Sequence, residues 1–502
     1  MQAFKSSLFV LSLSSVLLSA SSAWANLDQQ INELTEPLAT LFKEIVFYKI
    51  TAFGAEIPLV VLWLVTGAVF FTFYLGWINI KAFKHAIELI RGDYDHPESH
   101  GEVSHFQALA TAVSGTVGIG NIGGVAVAVT LGGPGATFWL ILAGILGMST
   151  KFVECTLSVK YRDTFDDGHV SGGPMYYLKY GLRSLGYAKL GRGLGGIYAV
   201  GILLGALGIG NLFQSNQAYE QLVSVWGEGV SPVWVGLILA VLVLGVILGG
   251  IQSIAKVTEK VVPFMAVLYC VSALTVIAFN IAYLPAAVQA IFTGAFTGEG
   301  VTGGALGVMV IGFQRAVFSN EAGIGSASIA HSAVKTDEPI TEGVVSLLEP
   351  FIDTIVICTI TALVITTSQL ADPHFAGEAK GVAMTSAAFA RHISWFPYPL
   401  AVAAVLFALS TMISWSYYGL KGWTYLFGEG VQGQAIYKVL FCFFVFLGPL
   451  MKLGPILDIS DALVFLICVP NIFGLYLLAP IVKAEMRSYF ERIASGEIKK
   501  YK

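Results

Sequence analysis

Long apolar segments constrain this chain more than any other feature. Eleven of them follow one another after the first 50 residues, and each is near the length that an α-helix needs to cross about 30 Å of hydrocarbon. Lipid offers no partner to backbone N–H and C=O groups, so each crossing segment must be a helix. The segments cover residues 55–80, 104–130, 135–159, 194–225, 231–251, 259–283, 303–330, 342–368, 397–426, 436–454 and 459–482.

The composition supports the same fold class. Of the 502 residues, 56% are apolar and only 12% are charged, whereas an average soluble domain is about 25% charged. The net charge of −4 and the absence of a basic block argue against nucleic acid as a partner. The chain has no GxxxxGK[ST] motif for a nucleotide, and its five cysteines lie in apolar runs without metal-ligand spacing. We therefore expect an all-α polytopic membrane protein.

The amino terminus has the pattern of a secretory signal. Residues 1–25 combine a basic start at Lys5, an apolar run and a small-residue end, which predicts a signal peptide cleaved after Ala25. An uncleaved anchor helix is the alternative. Either way, residues 26–54 are expected at the outer, periplasmic interface.

The distribution of positive charge predicts the orientation. Of 28 lysines and arginines, 19 lie in the tail at 483–502 or in loops that follow odd-numbered segments, and five lie on the opposite side. The positive-inside rule then places the mature amino terminus outside and the carboxyl terminus in the cytoplasm of a bacterial inner membrane.

Two segments contain glycine motifs that interrupt a plain membrane helix. One is Ser114–Gly124, in the second segment, and the other is Ser319–Ser326, in the seventh. Each contains Gly-Ile-Gly followed by a small polar residue. Glycine lets the backbone leave helical geometry, and an unwound helix offers carbonyl groups to a cation and N–H groups to a carboxylate. Close helix packing is the alternative explanation for either motif alone.

The positions of the motifs predict an internal repeat. They lie five segments apart, so the two helices cross the membrane in opposite directions. Paired, interrupted helices of opposite direction are typical of an inverted-topology repeat. We therefore expect five helices at 104–283, five more at 303–482 and one extra helix at 55–80.

Ionisable residues inside the segments are candidates for function. Glu321 lies within the second motif, and we expect it to act in a gate or a polar network. Glu349 and Asp353 are four residues apart, as a proton relay or a structural pair on one side of a helix. Glu154 lies near a predicted cytoplasmic end, where we expect it to pair with Lys151.

Neutral polar residues also cluster within segments. Gln214–Gln217 is too polar to face lipid, so we expect it to face a cavity. Ser410, Thr411 and Ser414 lie beside Trp415 in the ninth segment, and their hydroxyls could complete an oxygen shell for a small, hard cation. A bond to the carbonyl one turn earlier is the alternative role of such hydroxyls.

Four motifs together resemble the alanine or glycine:cation symporter family, also called the sodium:alanine symporters. They are Ser114–Gly124, Gly132–Ala136, Gly172–Tyr177 and Ser319–Gly325, and the similarity runs from about residue 55 to 485. The resemblance implies eleven helices with a leucine-transporter-type five-plus-five core. It also implies import of L-alanine or glycine by alternating access, with Na⁺ as the coupling ion and no other cofactor.

The resemblance implies roles for individual residues. Those expected near the substrate are Thr116, Gly118, Gly120, Asn121, Gln214, Phe318, Ser319 and Trp415. Those expected to offer oxygens to the cation are Ser114, Val117, Ser410 and Thr411. Among them, Gln214 is the candidate for the substrate's ammonium group, and Phe318 and Trp415 are candidates for the walls of a small side-chain pocket.

The sequence therefore predicts a sodium-coupled symporter for a small neutral amino acid. Proton coupling is the first alternative, because an intramembrane acid also allows it. An ion or solute channel is the second, although no repeated filter motif is visible. An intramembrane enzyme is disfavoured, because the chain has neither Gly-x-Ser-x-Gly nor HExxH.

Overall fold

The structure is a computed structural model. It describes residues 33, 36–52, 54–96, 98–166, 168–227, 229–298, 301, 303–375, 377, 379, 381–391, 394–451 and 454–501. The predicted signal peptide at 1–25 lies outside the described residues. Within them the chain is helical apart from two short antiparallel hairpins.

The first half of the chain contains both hairpins and the first broken helix. Its helices are α1 (36–46), α2 (Leu59–Tyr74), α3 (Ile78–Lys81), α4 (Phe83–Ile90), α5 (His105–Thr116), α6 (Val125–Gly132), α7 (Ala136–Lys160), α8 (Pro174–Ser184), α9 (Ala188–Leu207), α10 (Phe213–Trp226) and α11 (Pro232–Ile247). Its strands are β1 (Lys49–Ala52), β2 (Ala55–Pro58), β3 (Asp163–Thr164) and β4 (Val170–Ser171). Wider π-helical turns at Gly120–Gly124 and Gly208–Leu212 join α5 to α6 and α9 to α10.

The second half is entirely helical where it is described. Its helices are α12 (Gly250–Phe279), α13 (Leu284–Thr297), α14 (Gly304–Asn320), α15 (Ala327–His331), α16 (Pro339–Val345), α17 (Leu348–Pro350), α18 (Thr359–Ala371), α19 (Val382–Ala390), α20 (Pro397–Phe427), α21 (Val431–Leu447) and α22 (Pro455–Ala494). A π-helical stretch, Phe351–Cys358, joins α17 to α18, and short 3₁₀ turns lie at Ile281–Tyr283 and Gly448–Leu450.

Several helices have the length and composition of membrane spans. In the described part of the chain, seven continuous helices are long and apolar enough to cross a bilayer, and α5 with α6 forms a further span bent by 54°. The helix α12 exposes Phe264 and Val267 on one side while Met265 and Tyr269 are buried on the other. A helix that is apolar on its exposed side fits a lipid environment. The multi-pass membrane fold is thereby confirmed, while the count of eleven helices stays a prediction.

Two boundaries differ from the sequence prediction. The first predicted segment starts at residue 55, but Ala55–Pro58 is a strand that pairs with Lys49–Ala52, so the helix begins only at Leu59. Pro58 has an extended backbone at the helix start, which favours this boundary. The helix α13 lies between the predicted segments 259–283 and 303–330, where the hydropathy pattern predicts only a connection.

One end of the bundle is tied together by Arg162, which follows α7. Its guanidinium group donates hydrogen bonds of 2.7 to 2.9 Å to four backbone carbonyl groups. The four acceptors belong to His100, Ser332, Val334 and Thr336. The arginine therefore joins the segment before α5 to the connection between α15 and α16. This is the end that carries the lysine- and arginine-rich loops.

Candidate functional site

The first broken helix is interrupted at Val117–Ile119. The helix α5 starts with a capping box, in which Ser104 and Gln107 bond each other's backbone N–H groups. At its other end the backbone of Val117 is extended, with φ −74° and ψ 105°. The N–H group of Gly118 donates to the side-chain oxygen of Asn121 at 2.8 Å. A side chain of the same motif thus satisfies a backbone group that the break leaves free.

The second broken helix is interrupted between Asn320 and Ala327. Glu321 has φ +55°, a left-handed conformation that is uncommon for residues other than glycine. The carbonyl of Gly323 accepts from the Asn471 amide at 2.8 Å, and that of Ile324 accepts from the Tyr198 hydroxyl at 3.0 Å. Side chains of neighbouring helices therefore bind the carbonyl groups that this break leaves free.

A cavity of about 310 Å³ lies between the two breaks. Its walls contain nine of the thirteen residues that the sequence predicts for the site: Thr116, Gly118, Gly120, Gln214, Phe318, Ser319, Glu321, Thr411 and Trp415. These residues come from four separate apolar segments of the chain. The fold thus brings together positions that are up to about 300 residues apart, as the spacing of Gly115 and Trp415 shows, and the volume suits a small ligand.

The remaining four predicted residues lie directly behind this wall. Ser114, Val117, Asn121 and Ser410 are all buried. The Thr411 hydroxyl donates to the carbonyl of Ser114 at 3.1 Å, and the Ser114 hydroxyl donates to the carbonyl of Ser410 at 2.7 Å. The hydroxyl of Ser410 donates to its own helix, at Phe407. Hydroxyl and carbonyl oxygens of α5 and α20 therefore meet at the first break, and such neutral oxygens suit a small, hard cation.

Asn121 connects the first break to an acid that no sequence pattern assigned to the site. Its amide donates to the Ser319 hydroxyl at 2.9 Å and to the Asp353 carboxylate at 2.6 Å. That carboxylate also accepts from Ser319 and Thr354, each at 2.7 Å. Among the described residues, no lysine or arginine nitrogen lies within 4 Å of it. A buried carboxylate with only neutral partners favours a nearby cation.

Glu349 and Asp353 do not share partners, although the sequence places them four residues apart. The carboxylate of Glu349 accepts from the Lys151 amine at 2.9 Å, and both side chains are fully buried. The prediction that Glu154 pairs with Lys151 is therefore wrong. Glu154 instead accepts from the Asn471 amide at 2.8 Å, because Lys151 is directed toward Glu349.

The polar cluster of the fourth predicted segment is divided between two surroundings. Gln214 and Gln217 line the cavity, as expected. Asn216 instead donates to the carbonyls of Gly448 and Met451, at 3.1 and 2.8 Å. The helical period explains the division, because residues three apart share a face.

Two charged residues of the cavity wall were not predicted. Arg315, on α14, and Asp461, on α22, both line the cavity. The guanidinium carbon of Arg315 lies 5.7 Å from the centre of the Phe318 ring. A charged residue inside an apolar segment was the one signal that could have singled out Arg315.

A solved structure with a similar fold helps to define the class of protein. The crystal structure of MhsT in complex with L-phenylalanine superposes with a TM-score of 0.52 over 77% of this chain and 88% of that chain, at 16% identity. The two proteins share a fold. The fold, the broken helices and the cavity between them define a multi-pass membrane protein with a pocket between two interrupted helices.

Sequence comparisons narrow the class. The sodium/alanine symporter AgcS of Methanococcus maripaludis is 41% identical over 442 residues, which cover 88% of this chain and 96% of that protein. The probable sodium/glutamine symporter GlnT of Bacillus subtilis is 32% identical over 441 residues, or 88% of this chain and 89% of that protein. The model of the sodium:alanine symporter family matches residues 41–502. The chain belongs to this family of cation-coupled amino-acid transporters, and it is not an enzyme.

Proposed function

We propose that this protein is a sodium-coupled symporter that imports L-alanine, with glycine as a second substrate, by alternating access. Its membership of the sodium:alanine symporter family supports cation-coupled transport of an amino acid. The observation that carries the assignment is the contact between Thr411 and the Ser114 carbonyl at the edge of the cavity. This contact supports the proposal, because it brings a hydroxyl and a carbonyl oxygen together at the wall of the cavity.

Gln214 is the acceptor for the ammonium group of the substrate. Its side chain is held by a 3.2 Å bond from its amide nitrogen to the carbonyl of Ile209. Its side-chain oxygen is buried and has no hydrogen-bond partner among the described residues. That oxygen lies beside Gly118, since a Cβ atom added there would be 4.0 Å from it. An unpaired buried acceptor at the cavity wall suits a cationic donor.

The restart of the first broken helix is the site for the substrate's carboxylate. Gly120 lines the cavity and faces open space, since a Cβ atom added there would meet nothing within 4 Å. The helix that continues from Gly120 through α6 points its N-terminal end at the cavity, and such an end favours an anion. Thr116 and Ser319 add hydroxyl groups to the same wall.

Two aromatic residues limit the size of the substrate. Trp415 is fixed by a bond from its indole nitrogen to the carbonyl of Gly115, at 3.2 Å. Phe318 packs against Phe465, with ring centres 4.5 Å apart. Walls held in this way favour a small side chain, such as a methyl group or a hydrogen atom.

The cation is bound by oxygens of α5 and α20. The Ser114 carbonyl and the Thr411 hydroxyl form the core of this site, and Val117 and Ser410 contribute backbone oxygens. The uncompensated Asp353 carboxylate attracts a cation to the same region, through Asn121. Exclusively oxygen ligands suit Na⁺, whose coordination resembles that of other hard cations.

The wider topology belongs to the same proposal. Residues 104–283 and 303–482 form two inverted five-helix repeats, and 55–80 is the extra helix. The mature amino terminus faces the periplasm, and the tail at 483–502 is cytoplasmic. The positive-inside distribution of lysine and arginine supports this orientation.

The test is uptake of radiolabelled L-alanine into proteoliposomes of the purified protein. An inward sodium gradient should drive accumulation, an equal potassium gradient should not, and a sodium ionophore should abolish the accumulation. Thr411→Val should reduce sodium-driven uptake by about tenfold or more, because it removes one ligand oxygen from a site of few ligands.

Thr366→Val is the matched control. Thr366 is a buried threonine of α18 whose hydroxyl has no partner among the described residues, and it lies outside the cavity wall. Equal uptake by wild type and Thr411→Val would contradict the cation site. Uptake driven only by a proton gradient would replace sodium with proton coupling, and passive downhill flux of alanine would favour a channel.

A further inference from the structure

A row of alternating acids and histidines runs from the surface into the bundle. In order, its members are Asp95, His105, Glu342, His331 and Glu349. They come from the segment before α5 and from α5, α16, α15 and α17. None of them lines the cavity of the proposed transport site. The proposed function therefore leaves this row without a role.

The two histidines are oriented in the same way. Each presents its Nδ1 atom to the carboxylate of Glu342, one to each oxygen, within hydrogen-bond distance. Each presents its Nε2 atom to a second acid: His105 to Asp95 at 3.6 Å and His331 to Glu349 at 3.8 Å. Each ring therefore joins two carboxylates.

Solvent exposure decreases along the row from Asp95 to Glu349. The side chain of Asp95 is 47% exposed, whereas Glu342, His331 and Glu349 are fully buried and His105 is nearly so. At the inner end, Glu349 accepts from the Lys151 amine at 2.9 Å. The row thus connects solvent at the end of the bundle held by Arg162 to a buried charged pair.

The inner joint of the row is the contact between His331 and Glu349. It is too long for a hydrogen bond, and we call it open. His331 Nε2 and one oxygen of Glu349 are both buried and have no hydrogen-bond partner among the described residues. Buried polar atoms are nearly always paired in native proteins, so this pair of atoms requires an explanation.

We propose that Asp95, His105, Glu342, His331 and Glu349 form a proton relay, through which the charge of the buried cluster and the rate of transport follow the pH at the Asp95 side. The proposal rests on the proposed function for the transport that the relay regulates. Chains of Asp, Glu and His at membrane depth are a known form of proton path. Histidine is suited to it because its charge changes near neutral pH.

The transfers balance one proton at each step. A proton from solvent binds His105 Nε2, and the ring releases its Nδ1 proton to Glu342. Glu342 passes a proton to His331 Nδ1, and that ring releases its Nε2 proton across the open joint to Glu349. Each ring is left as its other tautomer, and it regains the first one when a proton returns along the row from Glu349 to solvent. The net result is that one proton leaves solvent and one carboxylate, Glu349, becomes neutral beside Lys151.

Neutral Glu349 frees Lys151 for other acids. The electrostatic partners of Lys151 are Glu349, Glu154 and Glu321. Glu321 lines the transport cavity and belongs to the second broken helix. Protonation at the inner end of the relay thereby changes the electrostatic environment of that helix.

Other ionisable groups surround the relay. Those on the elements packed against it are His85 and Glu88 of α4, Lys151, Glu154 and Cys155 of α7, Arg162 and Asp337 of the neighbouring loops, Glu321, Tyr418 of α20 and Arg492 of α22. None of them continues the alternation of acid and histidine. The expected pH response is therefore assigned to His105 and His331.

The first test observes the relay without transport. The full-length protein is labelled with ¹⁵N-histidine in lipid nanodiscs, and His331→Gln identifies the His331 signal. The relay predicts that the His331 signal switches reversibly between the two neutral tautomers when the pH of the medium is changed between about 5.5 and 8.5, because each proton delivered to Glu349 leaves that ring as its other tautomer. A His331 signal that stays constant over that range would overturn the proposal.

The second test measures transport in proteoliposomes at equal pH on both sides. Sodium-driven alanine uptake by wild type should change by about threefold or more between pH 5.5 and 8.5, and His331→Gln and His105→Gln should flatten that profile. His100→Gln is the control, since His100 is exposed and contacts Asp337 outside the row. Its profile should match that of wild type.

The outcomes separate the relay from the proposed function. Sodium-driven uptake with a flat wild-type profile, or with the same profile in wild type and His331→Gln, would overturn the relay and leave the symporter intact. Absence of alanine uptake at every pH would overturn the symporter, and the histidine signal would then decide the relay alone.

Discussion

The two broken helices have similar motifs but are stabilised differently. At the first break, the Gly118 N–H group is bound by Asn121 of the same motif, and the glycines face the cavity. At the second, the carbonyls of Gly323 and Ile324 are bound by Asn471, from α22, and by a tyrosine of α9. The first break presents its glycines to the cavity, whereas the carbonyls of the second are bound by neighbouring helices.

The difference shows that an unwound glycine motif does not by itself mark a binding site. Both motifs contain Gly-Ile-Gly and both interrupt a helix. What separates them is the source of the hydrogen bonds that satisfy the freed backbone groups. We therefore expect the backbone of the first break to contribute more to ligand binding than the backbone of the second.

The largest effect is expected from Asn121→Ala at the first break. The change removes the acceptor of the Gly118 N–H group and a donor to Asp353. Sodium-driven alanine uptake should fall by about 100-fold or more, because the Gly118 N–H group loses its acceptor and the Asp353 carboxylate loses one of its donors. Initial uptake rates, normalised to the amount of protein in the membrane, measure the effect.

Asn216→Ala is the control for that loss. Asn216 is also buried and also bonds two carbonyl groups, but away from the cavity. Its uptake should stay within about threefold of wild type if its bonds only add stability. A similar loss of uptake in Asn121→Ala and Asn216→Ala would mean that the first break matters no more for transport than another buried asparagine.

An intermediate effect is expected from adding a methyl group to each break. In Gly118→Ala the new Cβ atom would lie 3.2 Å from the Thr411 hydroxyl oxygen, so the sodium concentration for half-maximal uptake should rise about tenfold while thermal stability is kept. Gly323 has φ +94°, and its Cβ atom would meet the side chains of Leu64 and Ile472. Gly323→Ala should therefore lower the stability by about 1–2 kcal/mol or more.

Thermal unfolding and sodium titrations on both glycine variants check this contrast. The contrast would be contradicted if Gly118→Ala lost stability but kept a normal sodium dependence. That contradiction would also require that Gly323→Ala kept its stability but needed more sodium for half-maximal uptake.

The smallest effect is expected from Glu321→Gln at the second break. The Ser326 hydroxyl donates to the Glu321 carboxylate, and a glutamine oxygen can accept the same bond. The uptake rate should change by less than about threefold if the residue only supports the bend. A loss of about tenfold or more would instead give the carboxylate charge a direct part in transport.

Much of the fold follows from composition and periodicity. Hydropathy predicted the membrane spans because lipid requires helices of a set length, and the glycine motifs predicted the two breaks because only glycine permits such backbone geometry cheaply. The hydropathy pattern did not predict the strand at Ala55–Pro58. Its apolar residues are compatible with either structure, and the pairing with Lys49–Ala52 decides between them.

The candidate site was predictable where a motif or a chemical type stood out. The polar cluster at Gln214–Gln217 was expected to face a cavity because amides are too polar to face lipid, and Gln214 and Gln217 do line one; the substrate role of Gln214 was implied by the family resemblance and stays a prediction. Asp353 was missed as a member of the site, because its partners Asn121 and Ser319 lie far from it in sequence. Lys151 was assigned to Glu154, its neighbour on the same helix, although Glu349 across the bundle is its partner.

The arginine that ties one end of the bundle has a consequence for sequence variation. Within the part of the chain that the structure describes, the hydrogen bonds of Arg162 go to main-chain oxygens, at positions 100, 332, 334 and 336. A saturation library should therefore tolerate many side chains at position 100, where the side chain is exposed, whereas burial of the side chains restricts positions 332, 334 and 336. At position 162 the library should accept almost no other residue, because even lysine lacks the planar guanidinium group, whose several N–H donors reach several oxygens at once.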